Sequence, residues 1–452
     1  MACQPSETGV LGPRASCLMF VMSLMAMLTP SGRISLAVAD AVQKGHAGES
    51  KCVPNIDDLR LAKGFCAVVF ADGIGAARHL VVSPDGMVFA VLQAQRKGSP
   101  PGGVVALKDV DGDGHADIER RFGSNFGSDI AWHHGALFVA SEAAIVRYAI
   151  TQDALEPTAP PETIVTGFPE FDDGEHRRKA IAFDNRGGLY VLVAAPNNSC
   201  QALNRAPGSP GLRPCPYLKD AAGIWRFSDS QPGQRHGHDG KKMAGGIRNS
   251  LGMAWNQRSQ TLLVLQEGRD ELNVAWPQRY SDGQGAELPS EELLEISDKY
   301  ADFGWPYCYH DPFQDKRVLA PEYGGDGNQV GDCGRFALPI LTFVAHSSPT
   351  AIVIDDRNII GNRQGGAYVS FHGGWGRRPF SQAGYSVLFV PFASGRPSQR
   401  WEVFAEGFAG NSVVRMPQDA RFRPAGLAVD GGGHLYVADS KMGRIWRVSR
   451  ES

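Results

Sequence analysis

Several things are missing from this chain, and each absence narrows what it does. No two cysteines stand at C-x-x-C spacing, which removes c-type haem attachment and thiol-redox motifs. No stripe of lysine and arginine runs along it and the formal net charge is only −3, so nothing points to nucleic acid or to an acidic membrane surface. Long helical periodicities are nearly absent. No apolar run reaches the roughly 20 residues that a membrane-spanning helix needs.

The longest such run, from Ala15 to Leu28, follows Arg14 and precedes Pro30 and Ala37-Val38-Ala39. A basic residue, a short apolar core and an A-x-A site describe a secretory signal peptide over residues 1–39, cleaved after Ala39. No small-residue–Cys lipobox follows it. The mature chain, residues 40–452, is then expected to be one domain without a membrane span, periplasmic or secreted. Its net charge moves from −3 to −4, because the removed segment carries Arg14, Arg33 and Glu7.

Cysteine usage fits export. Cys3 and Cys17 leave with the signal peptide, and six thiols remain. They fall into three close pairs separated by Gly/Pro-containing sequence, so Cys52–Cys66, Cys200–Cys215 and Cys308–Cys333 are expected as local loop staples. Disulfides of this kind persist in oxidising compartments.

What the chain has in abundance is glycine and proline, 54 and 29 residues, the composition of many short strands joined by turns. One pattern recurs six times: an apolar strand, a Gly/Asp/Asn turn, then a second apolar strand. The copies are HLVVSPDGMVFAVL from His79, DIAWHHGALFVAS from Asp129 and KAIAFDNRGGLYVLVAA from Lys179. They continue with LGMAWNQRSQTLLVLQEG from Leu251, TAIVIDDRNIIGNRQGGAYVSFHG from Thr350 and AGLAVDGGGHLYVADSKMGRIWRV from Ala425. Six hairpins that cannot bury their apolar faces alone predict an all-β, six-bladed β-propeller. Residues 206–242 and 276–336 break the rhythm and read as long rim loops, the second containing a short helix from Ser290 to Lys299.

The sharpest local motif is Asp109-Val-Asp111-Gly-Asp113-Gly-His-Ala-Asp117. Carboxylates at alternate positions around two glycines suit a calcium loop, although Arg120 stands where an EF-hand has its distal glutamate. The alternative is a plain polar turn.

Further segments come in order along the chain: His176-Arg-Arg-Lys179-Ala-Ile-Ala-Phe, Gly246-Ile-Arg248-Asn249-Ser-Leu-Gly-Met-Ala-Trp, and Glu267-Gly268-Arg269-Asp270. Phe303-Gly-Trp305-Pro306, His346-Ser-Ser-Pro-Thr, Phe371-His372-Gly-Gly-Trp375-Gly-Arg377 and Arg421-Phe-Arg423-Pro follow. Taken together they resemble the soluble PQQ-dependent glucose/sorbosone dehydrogenases and their pyranose dehydrogenase relatives. That resemblance implies pyrroloquinoline quinone (PQQ) and calcium as cofactors, a sugar or polyol as substrate and an unidentified electron acceptor. It implies His176 as general base and Arg248 as both a catalytic and a cofactor-binding cation. Asn249, Glu267, His346, Arg377, Arg421 and Arg423 would contact the cofactor, and the carbonyls of Gly268 and Arg269 would hold a calcium against it. PQQ is a planar tricarboxylate, which is why forked, permanently charged arginines suit it. Glu267 stands where the glucose dehydrogenases carry glutamine and Arg269 where they carry proline, so a lactonase-type propeller or a non-catalytic carbohydrate-binding propeller stays open.

Overall fold

The computed structural model describes residues 52–451 apart from 54, 57, 94–102, 124–126, 173, 361–364 and 411–412. The expected signal peptide, residues 1–39, lies outside the described residues.

Each recurring hairpin forms the two inner strands of one four-stranded antiparallel blade. Blade 1 is Ala77–Val82, Val88–Leu92, Gly103–Lys108 and Ile118–Phe122, and blade 2 is Asp129–His133, Ala136–Ala140, Ile145–Ala149 and Glu162–Thr166. Blade 3 comprises Ile181–Phe183, Gly188–Val193, Gly223–Ser228 and Lys241–Gly245; blade 4 comprises Met253–Asn256, Thr261–Gln266, Glu291–Ile296 and Leu341–Phe343. Blade 5 is Pro349–Asp355, Gly366–Phe371, Ser386–Ala393 and Glu402–Glu406. Blade 6 takes Pro424–Val429, Leu435–Asp439 and Ile445–Arg450 from the C-terminus and its outermost strand, Phe65–Ala71, from near the N-terminus. The ring is thus closed by a ladder joining the two ends of the propeller, which leaves no gap between first and last blades. The Cys52–Cys66 disulfide anchors that closing strand, and the other two expected pairs are also formed.

Among the described residues the core is not one mass but six clusters between neighbouring blades, with three smaller ones under the long loops. Because side chains alternate faces along a strand, adjacent residues serve different interfaces. Leu189 packs towards blade 2 while Tyr190 packs towards blade 4. Leu262 faces blade 3 and Leu263 faces blade 5. Strands buried on both faces carry near-continuous apolar sequence, and this is why the second strand of each hairpin stands out. The inner strands contact one another around a central channel lined from all six blades.

Two expectations need correction. Glu291–Ile296 is the third strand of blade 4 rather than part of a helix, paired with Thr261–Gln266 on one side and Leu341–Phe343 on the other. Its glutamates mimic an exposed helical face, but two of the three are buried, Glu292 against Arg317 and Glu291 against backbone amides, while Glu295 is partly buried beside Arg396. The nearby helix lies earlier, at Asp282–Glu287. The supposed loop 206–242 also contains Gly223–Ser228, a full strand of blade 3, and Gln234–Arg235, which extends blade 2. Only its first part is loop, held by Cys200–Cys215.

Candidate active site

The sequence places its distinctive polar residues where inner strands begin, and the propeller gathers those beginnings at one mouth of the channel. Arg78 opens blade 1, His176 precedes blade 3, Arg248 and Asn249 precede blade 4, His346 and Ser348 precede blade 5, and Arg423 precedes blade 6. All of them line one cavity of about 550 Å³. Glu267, Gly268, His372 and Trp375 line it as well, so most of the expected site residues are brought together.

His176 is oriented by its backbone neighbour. Its Nδ1 lies 2.9 Å from the carbonyl oxygen of Ala195. A carbonyl only accepts, so Nδ1 carries the proton and Nε2 of the neutral ring is left as an acceptor in a residue that lines the cavity. Burial, reinforced by the Arg248 charge, holds the ring's pKa down at about 4.

Arg248 is 3 % exposed, and its guanidinium is spent on three partners: the Asn198 carbonyl at 3.2 Å, the Gly268 carbonyl at 2.8 Å and the Asp270 carboxylate at 2.8 Å. Asp270 also faces His346 Nδ1 at 3.6 Å. Burial alone would raise the Asp270 pKa, but Arg248 and His346 pull it well below the usual carboxylate range. His346 Nε2 meets the carbonyls of Gly285 and Leu288 at 2.9 and 3.1 Å. Burial alone would lower the pKa of this ring, but Asp270 and the carbonyls at its other nitrogen raise it, so the surroundings favour the protonated form. Gly376 lies so close that a Cβ there would come within 2.6 Å of the His346 ring, which accounts for a glycine at that position.

The opposite wall is cationic. Arg78, Arg178 and Arg423 all line the cavity, and none of them has an ion-pair partner among the described residues. Arg423 donates to the carbonyls of His372 and Gly373. Arg78 is 3 % exposed, and among the described residues it meets only His372 Nε2 at 3.4 Å and its buried Nε has no partner. Burial, then the charge of Arg178, lowers its pKa from the ordinary guanidinium value. Nothing in the hairpin that carries Arg78 marked it as a site residue; its only signal was an arginine at a position whose neighbours are all core.

Three expected contacts are not in the cavity. Arg421 is tied by its amide to the Ala409 carbonyl and sits about half exposed beside Asp58 at 3.3 Å, so only Arg423 of the pair turns inwards. Arg377 is occupied by Glu287 and the Ala286 carbonyl. Arg269, expected to contribute its carbonyl, does not line the cavity either; its side chain forms a buried ion pair with Glu322, which leaves the role of the carbonyl untouched. Conversely, Arg205, Glu175 and Glu291 line the cavity and were not singled out from sequence. The Cys200–Cys215 loop delivers Arg205, which binds Glu175 at 2.7 and 2.8 Å and Glu271 at 2.7 Å, and lies 5.5 Å from the centre of the Trp375 ring. Glu291 accepts from the Gly268 amide at 2.7 Å, and burial, with Glu267 nearby, pushes its pKa up to about 8.

The acidic loop presents three convergent carboxylates, Asp109, Asp111 and Asp117, whose oxygens lie within 4.8 Å of one another. Asp113 stands apart and accepts from the His115 amide at 2.8 Å.

Solved structures with the same fold include the holo PQQ domain of pyranose dehydrogenase from Coprinopsis cinerea, at 18 % identity and TM-score 0.67 over 87 % of this chain and 97 % of that one. A calcium structure of a Trichoderma reesei carbohydrate-active enzyme of family AA12 matches at 18 % identity and TM-score 0.70, covering 89 % and 99 %. The PQQ-bound aldose sugar dehydrogenase of Streptomyces coelicolor matches at 16 % identity and TM-score 0.53, covering 86 % and 99 %. No curated protein sequence matches the chain. The TrAA12-like family matches residues 59–451, almost the whole propeller, and the chain belongs to that family of PQQ-dependent oxidoreductases.

Proposed function

We propose that the chain is an exported sugar dehydrogenase that binds PQQ and calcium in the 550 Å³ cavity and oxidises a CH–OH group of a sugar. What points to a bound organic polyanion is the trio Arg78, Arg178 and Arg423, three guanidiniums facing one cavity without carboxylate partners. Like charges gathered around one cavity repel, and although Arg178 is exposed and Arg423 half-buried, the unpartnered Nε of the buried Arg78 is costly until an acceptor arrives. A planar tricarboxylate fits that donor set. A lactonase-type site needs carboxylate and amide ligands on a channel metal; Glu267, Asp270 and Asn249 line this cavity too, and it is the added arginines Arg78, Arg178 and Arg423 that favour an organic anion.

When bound, PQQ supplies the two-electron acceptor for the substrate's hydride. The chain supplies the rest. His176 Nε2 takes the hydroxyl proton, with Ala195 holding the ring and Arg248 keeping it neutral. Arg248 is fixed by Asp270 and places positive charge where negative charge develops. Arg423 and Arg78 hold cofactor carboxylates, and Asn249, bonded to Glu267, presents an amide to the same cavity. A calcium would draw on the hard oxygens of Gly268, Glu267 and Asp270, which Arg248, Asn249 and Ser348 occupy here, with the Arg269 carbonyl adjacent in the chain. A second, stabilising calcium is proposed at Asp109, Asp111 and Asp117. Export rests on the 1–39 leader and on three disulfides, with a mature domain of residues 40–452. No helix among the described residues is long and apolar enough to cross a membrane.

The test is reconstitution. Purified protein given PQQ and calcium should show the bound-quinone spectrum, and the spectrum of the reduced cofactor should appear when aldoses are added. PQQ that dialyses away freely would sink the proposal.

A further inference from the structure

At the opposite end of the blade 2 inner strand from the cavity, three metal-ligating groups converge that the dehydrogenase chemistry does not use. His133 ends the inner strand and His134 opens the two-residue turn, while Asp229 follows Gly223–Ser228 of the neighbouring blade. His133 Nε2 lies 2.8 Å from Asp229 Oδ2, and His134 Nε2 lies 3.8 Å from the same oxygen. A tetrahedral ion with bonds of about 2.0 Å separates its ligand atoms by about 3.3 Å, so both observed spacings lie within about half an ångström of that value.

The surroundings hold this arrangement in place. The His133 ring stacks on Phe183 of blade 3, centroids 4.2 Å apart and planes 17° from parallel. Asp229 is 5 % exposed, so its carboxylate is confined, whereas His134 is largely exposed. His134 and Gly135 have φ of 48° and 76°, a turn that favours Asn, Asp or Gly. A histidine there gives up turn preference, and in return its ring lies 4.0 Å from that of His133.

We propose that His133, His134 and Asp229 form a site for a divalent transition-metal ion of the zinc or copper(II) class. Two imidazoles and one carboxylate suit such borderline ions, and calcium, which prefers all-oxygen shells, is a poor match. Three protein ligands leave a fourth position open to water or to an incoming group. The ion would also clip blade 2 to blade 3, because Asp229 comes from the neighbouring blade.

The experiment is calorimetric titration of the full mature protein with zinc(II), in millimolar calcium so that hard oxygen sites are filled, and in parallel electron paramagnetic resonance with copper(II). One zinc per chain is expected, and copper spectra should show coupling to two nitrogens. His134→Asn keeps a turn-compatible residue on an exposed position and should weaken zinc binding by about tenfold or more. Asp229→Asn should do the same, with circular dichroism confirming that both variants fold. Absence of zinc binding would overturn the proposal, as would equal affinity in wild type and His134→Asn.

Discussion

His176 donates its Nδ1 proton to the Ala195 carbonyl at 2.9 Å, and that one bond decides which nitrogen is left to accept. In cofactor-free protein, ring-proton NMR should show His176 titrating near pH 4 instead of near 6.5. Its folded pKa is depressed, so the unfolded state binds more protons between those values. The stability this contributes is present above pH 6.5 and is lost as pH falls towards 4. His176→Ala should leave PQQ affinity nearly unchanged while turnover drops about 10²–10⁴-fold. Full turnover in that variant would make the histidine structural.

Cofactor affinity should separate the two C-terminal arginines. Removing one partner of a buried, charge-assisted contact costs about 2–5 kcal/mol, roughly 30-fold or more in affinity. Arg423→Ala and Arg78→Ala should each weaken PQQ binding by that order, whereas Arg421→Ala, beside Asp58 at the surface, should not. Calorimetry that found all three alike would contradict the division of the pair.

The Arg269–Glu322 pair should behave as a structural unit. Both side chains are buried, and Glu322 also accepts from Trp276 Nε1 at 3.0 Å. Glu322→Ala strands a buried guanidinium and should destabilise by about 3–5 kcal/mol. Denaturant titration would read this directly, and a change below about 1 kcal/mol would refute it.

Asp129 supplies a second pH test, outside the cavity. Burial, opposed by the amides of Ile130 and Ile181, pushes its carboxyl up to about 7. The folded state therefore binds the extra proton between about pH 4 and 7, and stability falls as pH rises through that window, by up to about 1.4 kcal/mol per unit. Its neighbour His79, 3.2 Å away, is held neutral by burial and by Arg78, so it does not offset the trend. Asp129→Asn should lower stability throughout, since one of the two amides loses its acceptor, but should flatten the slope. An unchanged slope would remove Asp129 as its source.

Calcium should raise the melting temperature through Asp109, Asp111 and Asp117. Asp111→Ala should abolish that rise, and Asp113→Ala should largely keep it, because Asp113 is turned to the His115 amide. A rise that survives Asp111→Ala would make the loop a bare turn.

The sequence by itself determined the six hairpins, since strand alternation and turn chemistry are local and repeat in the chain. It also carried the three cysteine pairs, each closed within a short loop. Arg248, His176 and Arg423 were legible because each stands shortly before an inner strand, in motifs that resemble those of the PQQ-dependent dehydrogenases. Only the tertiary structure decided which charges share a space. Arg78 lies in an apolar hairpin and gains meaning from Arg178 and Arg423, which other blades contribute. Arg421 and Arg423 are two residues apart, yet the bond to Ala409 keeps one outside. Glu291–Ile296 reads as helix until Arg317 and the Gly268 amide take up its glutamates inside a blade. In each case the partner that sets the role is remote in sequence. Local pattern fixes how a strand alternates, but the energy of a buried charge depends on what surrounds it after the ring has closed.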